Sequence, residues 1–126
     1  MRKETSTNAL NERNIKDSCS MAMTVSLLSG RWKPMILWHL GHHPYRYSAL
    51  KSKITGSTER MLVKQLQELE RDRLIIRKLE KGRPPRVTYF LSAEGKALLP
   101  LLKQMEIWGD HYKELTKTEP DQQTAS

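Results

Sequence analysis

Hydrophobic positions along the chain change their spacing several times, and each change marks an element. In "SMAMTVSLLSG", Met21, Val25 and Leu28 recur at i, i+4 and i+7, predicting a first helix with Gly30 as its C-cap. "KPMILWHL" restarts a helix with Pro34 at its first position, where a missing N–H costs nothing; Ile36, Leu37 and Leu40 form its buried side. "HHPY" ends it. A short third helix fits "YSALKSKI", and "TGST" reads as a tight turn. The spacing predicts a fourth helix from Thr58 to about Arg71, capped by Ser57, with Glu59 in the first turn to complement the dipole. Leu62, Leu66 and Leu69 share one side of it, while Ser57, Arg60, Lys64, Gln67, Glu68 and Arg71 share the other.

The pattern then shortens. "LIIRKLE" and "RVTYFLS" are short β-branched and aromatic runs flanking "KGRPP", which reads as a two-stranded hairpin with a kinked tip. Pro84 and Pro85 cannot donate to a ladder and belong in the loop or at a strand edge. Ser92 caps a long last helix, along which Leu98, Leu101, Met105, Trp108, Tyr112 and Leu115 follow a 3-4-3-4-3 spacing. The expected order is α-α-α-α-β-β-α. Residues 1–17 read as a polar extension in which Leu10 and Ile15 can anchor a short helix, 18–115 as one domain, and 116–126 as a disordered tail.

Composition adds a partner. The 126 residues hold 22 Lys+Arg against 14 Asp+Glu, a net charge of +8, which suits nucleic acid or an anionic surface. Hydrophobic residues make up 37%, low for a self-contained globule, so part of the apolar surface is expected between subunits. No apolar run reaches the ~18 residues that suggest a membrane span. The first residues lack the apolar core of a signal peptide. Cys19 is the one cysteine, so an internal disulfide framework is excluded; a cytoplasmic protein without a cofactor is expected.

Two short helices, a turn, a third helix and a hairpin describe a winged helix-turn-helix, a mainly α fold with a small β-hairpin. A helix fits the major groove of double-stranded DNA and its N-terminal turn meets base edges there. Ser57, Thr58, Arg60 and Lys64 are the candidates on that end, with Arg46 and Ser48 ahead of the third helix as phosphate contacts. A proline-stiffened tip carrying Lys81, Arg83 and Arg86 can reach an adjacent minor groove or backbone. The alternatives are a solvated helix face for Arg60 and Lys64, a solubilising loop for Arg83 and Arg86, and a local cap or pairing for Arg46. The stripe Leu98, Leu101, Met105, Trp108, Tyr112 and Leu115 reads as core or, given its length, as a dimer seam. His39, His42 and His43 lie close together but lack a carboxylate or cysteine at ligand spacing, so no metal site is assigned.

The chain resembles HxlR-type winged helix-turn-helix transcriptional regulators, relatives of the MarR group. The resemblance rests on Cys19 before the first helix, "GRW" at Gly30–Trp32, "RYSAL" at Arg46–Leu50 and "MLVKQLQELERDRLI" at Met61–Ile75. It continues in "PPRVTYFLSAEG" at Pro84–Gly95 and "WG" at Trp108–Gly109, in order and over about three-quarters of the chain. It implies a cytoplasmic homodimer on operator DNA, paired through its first and last helices. Some members sense electrophiles or oxidants through the cysteine matching Cys19. Ser20 departs from the family's usual proline, and Arg73 stands where glycine is common, which predicts strain if that position has positive φ. The expected function is a dimeric, sequence-specific regulator, most simply a repressor, on an inverted repeat. A protein-interaction module with only non-specific DNA affinity is the alternative. No phosphate loop or catalytic spacing points to an enzyme.

Overall fold

A computed structural model of the chain describes residues 19–117. Helices α1 (Ser20–Leu27) and α2 (Lys33–Leu40) lead into a two-residue strand, β1 (Tyr45–Arg46). Then follow α3 (Tyr47–Lys53), α4 (Glu59–Arg71), the hairpin β2 (Ile75–Glu80) and β3 (Arg86–Leu91), α5 (Ala93–Ala97) and α6 (Leu99–Lys117). The expected extension, with Leu10 and Ile15, and most of the expected tail lie outside the described residues.

Ile36, Leu37, Leu50, Ile54, Leu62 and Leu69 have no solvent-accessible surface, so α2, α3 and α4 meet in one core. Tyr89, Leu91 and Ile75 close that core from the sheet, and Leu102 closes it from α6. Helix α4 forms because its leucines recur on one side while the opposite side, from Arg60 through Lys64 to Arg71, is polar; Met61 and Val63 at its flanks stay exposed. The result is the expected winged helix-turn-helix.

The structure corrects several expectations. The sheet has three strands in the order β1-β3-β2, because Tyr45 and Arg46 pair antiparallel with Tyr89 and Thr88. Such a strand is too short to show alternation in sequence, and its partner lies over forty residues away. The last helix is two. Ser92 caps α5, accepting from the Gly95 amide at 3.0 Å, and Leu98 then separates it from α6. Pro34 is the second residue of α2 rather than the first, and α1 is capped by Leu28, with Gly30 following at φ +91°. Met21 and Val25 are largely exposed rather than packed, at 76% and 62%.

The α4 exit bears out the strain foreseen at Arg73. Leu74 N–H bonds to Leu69 C=O and Arg73 N–H to Glu70 C=O, both at 3.0 Å, which is a Schellman closure. That closure puts Arg73 at φ +63°, the left-handed region that favours glycine.

Candidate nucleic-acid interface

Thr58, not Ser57, caps the recognition helix α4, because its Oγ1 accepts from the Met61 amide at 3.1 Å. Ser57 is buried, and its hydroxyl donates to the Ile54 carbonyl at 2.8 Å. That bond closes the turn between α3 and α4, where Gly56 stands at φ +90°. The hydroxyl that sequence placed at the reading end is therefore spent inside the turn.

Arg60, Lys64 and Arg71 follow one another at i, i+4 and i+11 on the outward stripe of α4, opposite the leucines, and all are exposed. Arg71 is tied to Asp72 at 3.3 Å. Arg60 and Lys64 are exposed and form no salt bridge among the described residues, although the Lys64 charge still reaches Glu68. Glu68, expected on the same outward face, instead turns toward α2 and pairs with Lys33 at 2.6 Å.

The other cations frame this helix. Arg46 is exposed at the start of α3, in extended backbone that also pairs with β3, and Ser48 is exposed as the second residue of that helix. Lys81, Arg83 and Arg86 are exposed on the hairpin, where Pro84 and Pro85 form the tip as expected. Register adds a cation that sequence reading missed. Lys78 lies opposite Thr88 and Arg86 opposite Glu80, so Lys78 and Arg86 share the outward face of the wing. The signal was available: counting back by two from Glu80 reaches Lys78. Glu80 accepts from the Thr88 hydroxyl at 3.1 Å rather than pairing with Arg86.

The inner wing face turns the other way. A cleft of about 620 Å³ lies between Glu59, Val63 and Glu70 of α4 and Arg77, Val87 and Tyr89 of the sheet, a convergence of polar groups that the sequence did not reveal. Tyr47 also lines it, and its hydroxyl has no hydrogen-bond partner. Desolvation raises that phenol's pKa above its ordinary value of 10.0, with Glu59 and Tyr89 adding to the effect. The two glutamates keep this flank of α4 acidic, so the cationic stripe is confined to the helix's outer edge.

Away from this surface, α6 leaves Leu101, Met105, Trp108, Tyr112 and Leu115 exposed, Trp108 at 65%, while Leu98 packs against the core. Trp108 and Tyr112 stack with ring centroids 5.2 Å apart. Met21 and Val25 of α1 and its capping residue Leu28 line a groove of about 520 Å³ with Leu101 and Met105 of α6. Cys19 is exposed at the start of α1, with no side-chain capping bond. No helix among the described residues is long and apolar enough to cross a membrane.

A model of the HxlR-like helix-turn-helix family matches residues 27–117. The chain belongs to that family. This HxlR-like chain is 46% identical over 99 residues to the regulatory protein MalR of Fusobacterium mortiferum, covering 78% of this chain and 93% of the relative. It is 37% identical over 98 residues to the uncharacterized HTH-type transcriptional regulator YdeP of Bacillus subtilis, covering 78% and 77%. Among solved structures it is similar to the redox regulator HypR in its reduced form. There the TM-score is 0.75 and the identity 29%, over 79% of this chain and 98% of HypR. The HxlR-like protein is thus a transcriptional regulator with a DNA-binding helix-turn-helix.

Proposed function

We propose that the protein is a homodimeric, cytoplasmic repressor that reads an inverted-repeat operator. Exposed Arg60 and Lys64 on the outward stripe of α4 carry this reading: they are the cations a major groove would receive. Thr58 accompanies them at the helix start. Arg83, Arg86, Lys78 and Lys81 on the wing serve the flanking backbone or minor groove, with Arg46 and Ser48 on phosphate. Leu101, Met105, Trp108, Tyr112 and Leu115, with Leu98 at their base, seat a second copy together with α1. An apolar strip of that length on so basic a small domain is what a subunit interface needs. Repression follows where the operator overlaps a promoter.

Footprinting on a duplex enriched by the protein itself tests this arrangement. Two protected major-groove patches about 10 bp apart, related by a two-fold axis, are expected. A single patch, or uniform protection, contradicts it.

An exposed Cys19 is the N-cap residue of α1, the helix that lines the α1–α6 groove, and supports a further element. The structural neighbour HypR is a redox regulator. Oxidation of Cys19 by a diamide-type oxidant, to an intersubunit disulfide or to a mixed disulfide with a small thiol since the chain has one cysteine, or its alkylation to a thioether, would act on the subunit interface. Diamide should change the operator affinity of the wild type and leave Cys19→Ser unaffected; equal responses would remove Cys19 from the mechanism.

A further inference from the structure

Lys33 stands where a leucine would be expected. It precedes Ile36, Leu37 and Leu40 at i, i+3, i+4 and i+7, on the buried stripe of α2, and its side chain is 5% exposed. Its ammonium meets Glu68 Oε1 of α4 at 2.6 Å, and Glu68 retains 26% exposure. The hydrogen bond from Lys33 holds the Glu68 carboxyl below its ordinary pKa, against desolvation, with help from Lys33, Lys64 and Arg71 charges. The pair lies between the two helices.

A buried ion pair is weak evidence for net stability, because desolving two charges offsets most of their attraction; its best-attested role is fixing register. Here register has a consequence. Glu68 continues the i, i+4 row that begins with Arg60 and Lys64, so the azimuth at which Glu68 is pinned sets the azimuth of both. Leucine contacts at Leu62, Leu66 and Leu69 tolerate a small roll, whereas a short directional bond does not. Side-chain ends lie about 5–6 Å from a helix axis, so a roll of about 30° displaces them by about 3 Å, enough to lose a hydrogen bond.

We propose that the Lys33–Glu68 pair is a positioning device that fixes the rotation of α4 about its own axis, and through it the direction in which Arg60 and Lys64 face, without adding net stability over an apolar pair. The selectivity part rests on the DNA-binding reading above; the rotation itself does not.

The test compares the full-length wild type, the apolar double variant Lys33→Met/Glu68→Leu and the exchanged pair Lys33→Glu/Glu68→Lys. Thermal unfolding reads stability. NMR line broadening by a soluble paramagnetic agent reads which side of α4 faces water, with or without DNA. The ratio of affinities for an enriched duplex and its scrambled counterpart reads selectivity. The apolar variant should melt at or above the wild-type temperature, with broadening spread from Arg60 and Lys64 toward Met61 and Gln65. Its selectivity should fall about tenfold, the scale of one lost base contact. The exchanged pair should recover much of both readouts. An apolar variant with wild-type broadening and selectivity overturns the proposal, and so does one that loses the fold while the exchanged pair keeps it, since the pair would then be a net stabiliser. If the wild type discriminates no duplex, the DNA reading fails and the broadening pattern alone decides the rotation.

Discussion

The Ser92 hydroxyl donates to the Arg73 carbonyl at 2.7 Å, while the same oxygen accepts from the Gly95 amide at 3.0 Å. One side chain therefore caps α5 and clamps the residue through which α4 enters the sheet. Ser92→Ala removes the cap and leaves a part-buried carbonyl without this donor. A loss of about 1–3 kcal/mol is expected, measured by denaturant unfolding. A loss below a few tenths would show that the clamp is incidental.

Arg73 holds positive φ that a non-glycine residue adopts at a cost. Arg73→Gly relieves it while giving the unfolded chain more freedom, so a net gain of about 0.5–1 kcal/mol is expected. In a domain of this size that raises the melting temperature by several degrees. Arg73→Val, β-branched and unable to sit comfortably there, should do the reverse.

Much of this was legible in sequence, and the reasons are local. Leu62, Leu66 and Leu69 against Arg60 and Lys64 announce α4, and the alternation in "RVTYFLS" announces β3. Ser92 was readable as a cap because its acceptor role is satisfied three residues ahead. What escaped depended on distant partners. β1 exists only because β3 passes beside Tyr45 and Arg46. The burial of Lys33 and the inward turn of Glu68 require both helices at once. Ser57 and Thr58 are both sound caps in isolation, and the turn's need for a bond to Ile54 decides between them. Met21 and Val25 have helical spacing, yet among the described residues both stay largely exposed.

The two cationic groups should fail differently. Arg60→Ala should cost about 1–3 kcal/mol on the preferred duplex and less on others, relaxing selectivity at one position. Arg83→Ala with Arg86→Ala should weaken binding on all duplexes and lower the salt slope by roughly one unit per lost phosphate contact. Fluorescence anisotropy across salt concentrations separates the two. Uniform loss from both would contradict this division of labour.

Met105 lies in the α1–α6 groove, so Met105→Glu would place a carboxylate in an apolar seam. Sedimentation should show a monomer with unchanged helical circular dichroism, and operator affinity should collapse because one half-site binds weakly alone. A dimer that survives this change would place the interface elsewhere.

Glu68 contributes to the acid limb of stability. Its folded pKa is lowered from 4.5, first by the Lys33 hydrogen bond, so its contribution is full above that value and is lost as pH falls through the depressed one. Unfolding measured between neutral pH and pH ~3 should show a steeper decline in the wild type than in Glu68→Gln. The opposite order would mean that the carboxylate is not preferentially charged in the folded state.

The central claim is that two copies of this domain read a DNA sequence. Selecting bound duplexes from a random pool at about 150 mM salt, where purely electrostatic binding is weakened, tests it most directly. The account predicts enrichment of an inverted repeat with half-site centres about 10 bp apart. Retention without enrichment, abolished by modest added salt, would contradict it and leave a basic winged helix whose specific partner is a protein.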